Sequence, residues 1–235
     1  MRIKSSFKNL IFAVVGQILG LSVSFIARIV FIEMLGAEYL GLNSLFENIL
    51  TVLSFFELGI GPAITFSLYK PLAEKNIEKI KSLMVFFRKA YVTIGLIILF
   101  FGSLITPFLN LFIKDAPNIP HLKFIFFLFV TNSAISYFYS YKRTLIISDQ
   151  KRYIATFYRY SFFILLNIFQ MVVLLLTKNY YLFLICQITF TALENIFVSK
   201  RVDQLYKFLR EKSKDKLDDK TFKDIKKNIR ALIAH

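Results

Sequence analysis

The sequence has a single cysteine, Cys186, and only two histidines, His121 and His235. One cysteine excludes an intrachain disulfide framework and a cysteine-based metal site, and two scattered histidines form neither a metal site nor a catalytic dyad. The sequence also lacks a glycine-rich phosphate loop, an aspartate-rich metal cluster and a nucleophile–base arrangement. We therefore expect a protein without catalytic residues, cofactor or bound metal, and not an enzyme.

Acidic residues are scarce as well, 15 against 30 Lys and Arg, which gives a net charge of +15. Such a charge is typical of nucleic-acid-binding proteins, but here the basic residues lie in short clusters between long apolar runs. Hydrophobic residues make up 56% of the chain and the mean hydropathy is +0.58, more apolar surface than a soluble domain of this length buries. The composition therefore predicts a multi-pass membrane protein in contact with membrane lipids, with no nucleic-acid partner.

Six apolar stretches reach the roughly 20 residues that a membrane-spanning helix needs. They are Asn9–Ile32, Asn43–Leu68, Ala90–Ile113, Leu122–Ile146, Tyr153–Thr177 and Tyr180–Ser199. The first stretch is too long for the apolar core of a usual signal peptide, so we expect it to be retained. Lys and Arg are concentrated in alternate connections, and positively charged connections stay in the cytoplasm. We expect an all-α, six-helix transmembrane lobe over residues 1–199 with both termini cytoplasmic.

Residues 200–235 are charged and poor in aromatic residues, which predicts a basic cytoplasmic linker. From Thr221 onward, apolar residues recur at steps of three and four, namely Phe222, Ile225, Ile229, Leu232 and Ile233. This pattern predicts an amphipathic helix that lies on the anionic inner leaflet. The alternative is a solvated charged linker whose periodicity is incidental.

Apart from Lys142 and Arg143, which count with the basic connection at the end of the fourth span, five ionisable residues lie inside the predicted spans: Arg28, Glu47, Glu57, Arg159 and Glu194. An ionisable group in a bilayer costs roughly a few kcal/mol or more, so each is a candidate functional residue. By depth in antiparallel hairpins, Arg28 matches Glu47, and Glu194 lies within one turn of the depth of Arg159. Two interpretations stay open for these pairs: structural ion pairs, or the lining of a water-filled cavity that binds an anionic or sugar-bearing substrate.

Glu57 differs from the others because it is deep and has no basic residue at its depth, where it matches Gln17 of the first span. Gly59, Gly61 and Pro62 follow it directly. A proline inside a helix removes a hydrogen bond to the carbonyl four residues earlier, so we expect a kink at Pro62. The segment predicts a hinge or ion-coupling site. A purely architectural bend is the alternative.

The chain resembles the polysaccharide flippases of the multidrug/oligosaccharidyl-lipid/polysaccharide exporter superfamily. The residues that carry this resemblance span the chain: Arg28, Leu35–Asn43, Leu45-Phe46, Leu53–Ile64, Leu68–Ala73, Asp149–Ile154, Asn179–Leu182 and Gln187-Ile188. The resemblance implies a lobe of six helices, normally followed by a second such lobe. It implies transport of undecaprenyl-diphosphate-linked sugar units from the inner to the outer leaflet of the bacterial plasma membrane by alternating access. In that setting Arg28 is a candidate to contact the diphosphate.

By this resemblance, we expect the sequence to correspond to the first of the two lobes that the family carries. A lone lobe turns its polar cavity face toward lipid, which the bilayer penalises. We therefore expect the lobe to pair with a second six-helix lobe or with a copy of itself, unless it is an inactive truncated product. Two other functions stay open: a drug or ion exporter of the same superfamily, with Glu57 as its proton-coupling carboxylate, and a membrane scaffold that transports nothing.

Overall fold

Every element in the described part of the chain is helical. The computed structural model describes residues 2–57, 59–111, 119–211 and 217–233, which leaves Phe112, Ile113 and His235 outside the description. The α-helices are α1 (Arg2–Leu35), α2 (Ala37–Leu53), α3 (Ile60–Ala73), α4 (Ile77–Ile105), α5 (Leu122–Phe138), α6 (Ser140–Ser148), α7 (Arg152–Thr177), α8 (Tyr180–Leu205) and α9 (Asp219–Ile233). Short 3₁₀ turns follow α2, α4 and α8, at Ser54–Glu57, Thr106–Leu111 and Lys207–Arg210. The predicted all-α class is confirmed for these residues.

Four of the described helices are long and apolar enough to cross a membrane: α1 from Asn9 onward, α4, α7 and α8. α5 and α6 reach that length only together, and they meet at a bend of 44°. The described residues are therefore compatible with a multi-pass membrane protein of four spans, or five if the bent pair is one span. The predicted second span, Asn43–Leu68, is divided between α2 and α3.

The bend between α5 and α6 falls within a stretch that reads as one uninterrupted span in the sequence. Hydroxyl groups at the bend donate to carbonyls three or four residues earlier: Ser136 to Ser133 at 2.7 Å, Ser140 to Ser136 across the bend at 2.7 Å and Thr144 to Ser140 at 3.1 Å. Serine and threonine that bond back in this way compete with the backbone ladder and bend helices. The hydroxyl residues therefore account for a bend that no proline or glycine marks.

The break between α2 and α3 lies before Pro62, so the predicted kink at that proline was wrong. α2 ends at Leu53, and Gly59 adopts a left-handed conformation (φ 79°) immediately before α3 begins at Ile60. Pro62 lies in the first turn of α3, where a missing N–H costs little because it has no partner in the helix. The carbonyl of Leu58 lies outside the described residues.

Close helix packing in the bundle depends on small residues. α1 lies along α7, α4 packs against α5, and both α5 and α7 pack against α8. A Cβ built on Gly102 of α4 would lie 2.5 Å from a methyl carbon of Val130 on α5, and one on Gly95 would lie 2.7 Å from the Phe138 ring. Small residues of this kind let helix backbones approach closely. The α4–α5 contact therefore has no room for a methyl group at either position.

The turn between α6 and α7 is tied to two other elements by polar contacts. The Tyr206 hydroxyl, just after α8, donates to Asp149 at 2.6 Å, and Lys151 pairs with the same carboxylate at 2.6 Å. On the other side, the Tyr153 amide donates to the side chain of Asn9 on α1 at 2.6 Å. Burial, together with the hydrogen bond to Asp149, raises the pKa of Tyr206. These contacts from Tyr206 and Asn9 thus fix the position of the segment Asp149–Ile154, which contains the turn.

The amphipathic helix predicted near the end of the chain is present as α9, but its apolar face packs on protein. Ile225 is only 2% exposed within the bundle core, and Ile229 packs against the same core. The ring of Phe222 lies 5.7 Å from that of Phe86 on α4. The predicted position of this face on the inner leaflet was therefore wrong for Ile225. The side chains of Leu232 and Ile233 lie outside the described residues.

A polar contact holds the start of α9 to α4. The ammonium group of Lys79 contacts both the Asp218 carboxylate and the Thr221 hydroxyl. The Thr221 amide also donates to Asp218 at 3.0 Å. These hydrogen bonds favour the charged carboxylate and lower the pKa of Asp218. The tail helix is therefore fixed to the bundle both by its apolar face and by an ionic contact.

Candidate functional site

A surface groove between α2, α5 and α8 collects polar side chains from helices that are otherwise apolar. We call it the polar groove; its volume is about 370 Å³ and its lining residues are Glu47, Leu50, Thr51, Ser54, Phe129, Asn132, Ser133 and Gln187. The residues from the α2 segment are spaced three and four apart, so one helix face supplies them all. This arrangement places a carboxylate, three hydroxyls and two amides around one cavity.

The polar groove lies well inside the apolar part of the bundle. The starts of α2, α5 and α8 lie at one end, because Tyr180 bonds Asn43 and the Tyr181 hydroxyl donates to the Pro120 carbonyl at 3.0 Å. At 1.5 Å per residue, Glu47 and Asn132 are each about 15 Å from the start of their helices. At that depth in a bilayer, polar atoms are costly unless they find partners. The groove is therefore a site for polar partners rather than for lipid tails.

Asn132 is the clearest sign that the polar groove lacks a partner. Its side-chain oxygen is buried and has no hydrogen-bond donor among the described residues. By contrast, Gln170 donates to the Phe183 carbonyl at 3.1 Å, and Asn195 donates to the Ile135 carbonyl at 3.3 Å. A buried acceptor without a donor costs about 1–3 kcal/mol. The oxygen of Asn132 therefore favours a bound molecule that offers an O–H or N–H group.

Glu57 lies beyond the inner end of the polar groove, next to aromatic hydroxyls. The carboxylate is half-buried, and the Tyr137 hydroxyl of α5 lies within hydrogen-bonding reach. A Cβ built on Gly61 would lie 3.5 Å from both Glu57 Oε1 and the Tyr91 hydroxyl. Among the described residues, no cation forms an ion pair with Glu57. Its neighbours are thus Tyr137 and Tyr91, whereas Gln17, its depth match in the sequence, lies elsewhere.

Arg28 and Glu47 do not form the ion pair that their depths suggested. Both side chains are exposed, and neither takes part in an ion pair within the described ranges. α1, which carries Arg28, lies mainly along α7, whereas Glu47 lines the polar groove with α5 and α8. The depth argument assumed that α1 packs along α2, and that assumption was wrong.

Glu194 pairs with a residue that was not among the candidates and was counted with a basic connection. Its carboxylate contacts the guanidinium of Arg143 on α6, which also lies 3.5 Å from the Asn195 oxygen. Arg159 is exposed and lines a cavity of about 180 Å³ between α1 and α7, together with Gln17. The expected pair of Arg159 with Glu194 was therefore wrong. α6 begins at Ser140, so the helix carries Arg143 into the bundle rather than into a loop.

The contacts divide the candidate residues into three places. Glu47 lines the polar groove, Glu57 lies beyond its inner end, and Arg159 with Gln17 faces outward from the α1–α7 pair. No protein-family model, curated protein or solved structure matches this chain. Among the described residues, no group of three or more His, Cys, Asp or Glu side chains is placed to hold a metal ion.

The sequence alone did not single out Thr51, Ser54, Asn132, Ser133 and Gln187 as site residues. One signal was present: Glu47, Thr51 and Ser54 follow a helical period of three and four residues. The contribution of α5 and α8 had no such signal, because it depends on how those helices are rotated against α2.

Proposed function

We propose that this chain is a six-helix lobe of a transporter that moves undecaprenyl-diphosphate-linked polysaccharide repeat units from the inner to the outer leaflet of a bacterial plasma membrane. In this proposal α2 with α3 forms one broken span and α5 with α6 another, so that six spans leave both termini in the cytoplasm. The clustering of Lys and Arg in alternate connections supports that orientation. Alternating access moves the sugar through the polar groove.

The observation that carries the proposal is the polar groove, with its unsatisfied oxygen on Asn132. Sugar hydroxyls are donors and acceptors at once, so they satisfy an amide oxygen, a carboxylate such as Glu47 and the hydroxyls of the groove together. Phe129 and Leu50 supply the apolar surface on which a sugar ring packs. A groove of this composition at membrane depth suits a polar headgroup that crosses the bilayer while its lipid tail stays outside.

The outward-facing cations support a second lobe. Arg28 and Arg159 are exposed at apolar depth, and neither forms an ion pair within the described ranges. A guanidinium that faces lipid costs roughly a few kcal/mol or more. A second lobe, or a copy of this chain, that covers α1 removes that cost and encloses the substrate path. The planar guanidinium of Arg28 then suits the diphosphate of the lipid carrier.

A second candidate function is a drug or ion exporter, which the position of Glu57 favours. A half-buried carboxylate beside Tyr137, at the break between α2 and α3, is placed to bind a proton or a cation as the helices move. In the first proposal the same residue couples substrate transport to an ion or acts at a hinge with Gly59.

Reconstitution of the full chain in lipid vesicles tests the proposal. The assay follows the transfer of a fluorescent lipid-linked sugar between leaflets, with uptake of a small organic cation as the parallel measurement. We expect Asn132→Ala to reduce sugar transfer several-fold. Asn167→Ala is the matched control, because Asn167 donates to the Phe163 carbonyl of its own helix at 2.8 Å and does not line the groove.

Each outcome decides between the candidates. Sugar transfer that falls in Asn132→Ala and persists in Asn167→Ala supports the polar groove as the substrate path. Transport of the cation without the sugar, abolished by Glu57→Gln, overturns the first proposal in favour of an exporter. Transport of neither molecule, from vesicles that contain folded protein, overturns transport by this chain or by copies of it, and leaves either the scaffold function or transport that needs a different second lobe.

A further inference from the structure

A second polar cavity lies at the opposite end of the bundle, where α4 and α6 begin and α8 ends. We call it the basic cavity; its volume is about 200 Å³ and its charged lining residues are Lys81, Arg88, Lys142, Asp203, Arg210 and Glu211. Four cations against two acids leave an excess of positive charge. A water occupies roughly 30 Å³ in the liquid, so the cavity has room for a larger polar group.

The cation at the base of the cavity is buried. Lys81 has a side chain that is only 5% exposed, and its ammonium group contacts Glu211 at 2.7 Å and Glu78 at 3.0 Å. A buried ammonium needs an anion, because its desolvation is otherwise uncompensated. Glu211, however, is 71% exposed at the end of the turn Lys207–Arg210. One of the two carboxylates that neutralise Lys81 therefore reaches it from the solvent side.

The other cations of the basic cavity differ in their partners. Lys142 is satisfied, because it contacts both carboxylate oxygens of Asp203 and the Ser199 hydroxyl within 2.8 Å. Arg88 and Arg210 are exposed, and neither forms an ion pair within the described part of the chain. Two guanidinium groups thus face the cavity without a carboxylate.

We propose that the basic cavity binds a phosphate group, with Arg88 and Arg210 as its ligands and Lys81 at its base. Guanidinium groups bind phosphate oxygens through paired N–H donors, and a buried lysine adds a point charge. The phosphate takes the place of the Glu211 carboxylate on Lys81, since both are anions that approach from the same side. This site is separate from the polar groove and does not depend on what that groove transports.

The phosphate comes either from the headgroup of an anionic membrane lipid or from a free phosphate ester. Clusters of basic residues close to a membrane surface attract anionic lipids. In the orientation proposed above, the basic cavity lies at the cytoplasmic surface, where such headgroups are present. The chemistry of recognition is the same for both sources, and the two probes below distinguish them.

The test measures binding to the purified full chain in neutral phosphatidylcholine nanodiscs, with inorganic phosphate and short-chain phosphatidylglycerol as separate probes. Arg88→Gln and Lys89→Gln form a matched pair, because they remove one charge at neighbouring exposed positions and only Arg88 lines the cavity. We expect Arg88→Gln to weaken binding about tenfold, as loss of one charge-assisted hydrogen bond predicts. We expect Lys89→Gln to stay within about twofold, and Glu211→Gln to bind more tightly because the competing carboxylate is gone.

The outcomes are separable. Tight binding of phosphatidylglycerol alone assigns the site to a lipid headgroup, and binding of inorganic phosphate assigns it to a free phosphate ester; both support the proposal. Equal losses in Arg88→Gln and Lys89→Gln overturn it in favour of diffuse surface charge. Binding of neither probe to wild type or to Glu211→Gln overturns it as well.

Discussion

Alanine substitutions at Gly59 and Gly61, two glycines at the start of α3, should have opposite effects on stability. Gly59 has φ 79°, in the left-handed region, immediately before α3 begins. An alanine there places its Cβ against the following carbonyl, at a cost of about 1–2 kcal/mol. Gly61 is helical, and a Cβ on it meets its nearest atoms at 3.5 Å, an ordinary contact. Alanine at Gly61 gains up to about 1 kcal/mol of helix propensity.

The measurement is thermal unfolding of the purified variants in one detergent, followed by circular dichroism. For a chain of this size, 1 kcal/mol shifts the midpoint by roughly 2–4 °C. We expect Gly59→Ala to unfold at least about 2 °C below wild type and Gly61→Ala at or above wild type. A Gly59→Ala variant as stable as wild type, or a Gly61→Ala variant that is the less stable of the two, refutes the assigned backbone conformation.

The same pair tests the predicted hinge. If the break between α2 and α3 moves during transport, Gly59→Ala reduces sugar transfer in the vesicle assay more than its loss of stability explains. Gly61→Ala, which changes no backbone conformation, keeps transfer near the wild-type rate. Equal transfer by both variants supports the purely architectural bend.

Three further predictions concern packing and charge. Gly102→Ala should lower the free energy of unfolding by about 1–3 kcal/mol, because the added methyl overlaps a valine of α5; chemical denaturation in detergent measures it. Glu194→Gln should lower the free energy of unfolding by about 1–3 kcal/mol, because it leaves Arg143 without its carboxylate, whereas Arg159→Gln should change it by less than about 0.5 kcal/mol. Similar losses in both variants would restore the pair expected from the sequence. The pKa of Asp218 is lowered on folding, so its contribution is present above the ordinary value of 3.8 and is lost as pH falls below it. Protease cleavage in α9 should then increase below about pH 4 in wild type, and an Asp218→Asn variant with no such dependence would confirm the carboxylate as the cause.

Some of the helix boundaries followed from local signals in the sequence. The apolar run that begins at Tyr180 appears as the start of α8, with Asn179 capping it through hydrogen bonds to the Tyr181 and Leu182 amides. A kink was expected at Pro62, whereas the structure breaks the helix between Leu53 and Ile60, with Gly59 in the left-handed conformation. The bend at Tyr139 was not expected, because back-bonded hydroxyls leave a hydropathy pattern unchanged.

The polar contacts could not be read from the order of residues. Depth matched Gln17 to Glu57 on the assumption that the first two spans pack side by side, whereas α1 lies along α7. Depth also matched Arg159 to Glu194 across α7 and α8, which do pack together, but Glu194 contacts Arg143 on α6 instead. The depth of a residue depends on its position in one helix, whereas a contact between two residues also depends on how both helices are rotated about their axes.

The sequence by itself determined that the described chain is helical, that its helices are apolar enough for a membrane, and that a few polar residues lie within them. These properties follow from composition and periodicity, which each segment carries alone. Tertiary structure decided which polar residues meet: the groove around Asn132, the neighbours of Glu57 and the cation-lined cavity around Lys81. In an apolar bundle many rotations bury similar surface, so only the packing of distant helices selects one.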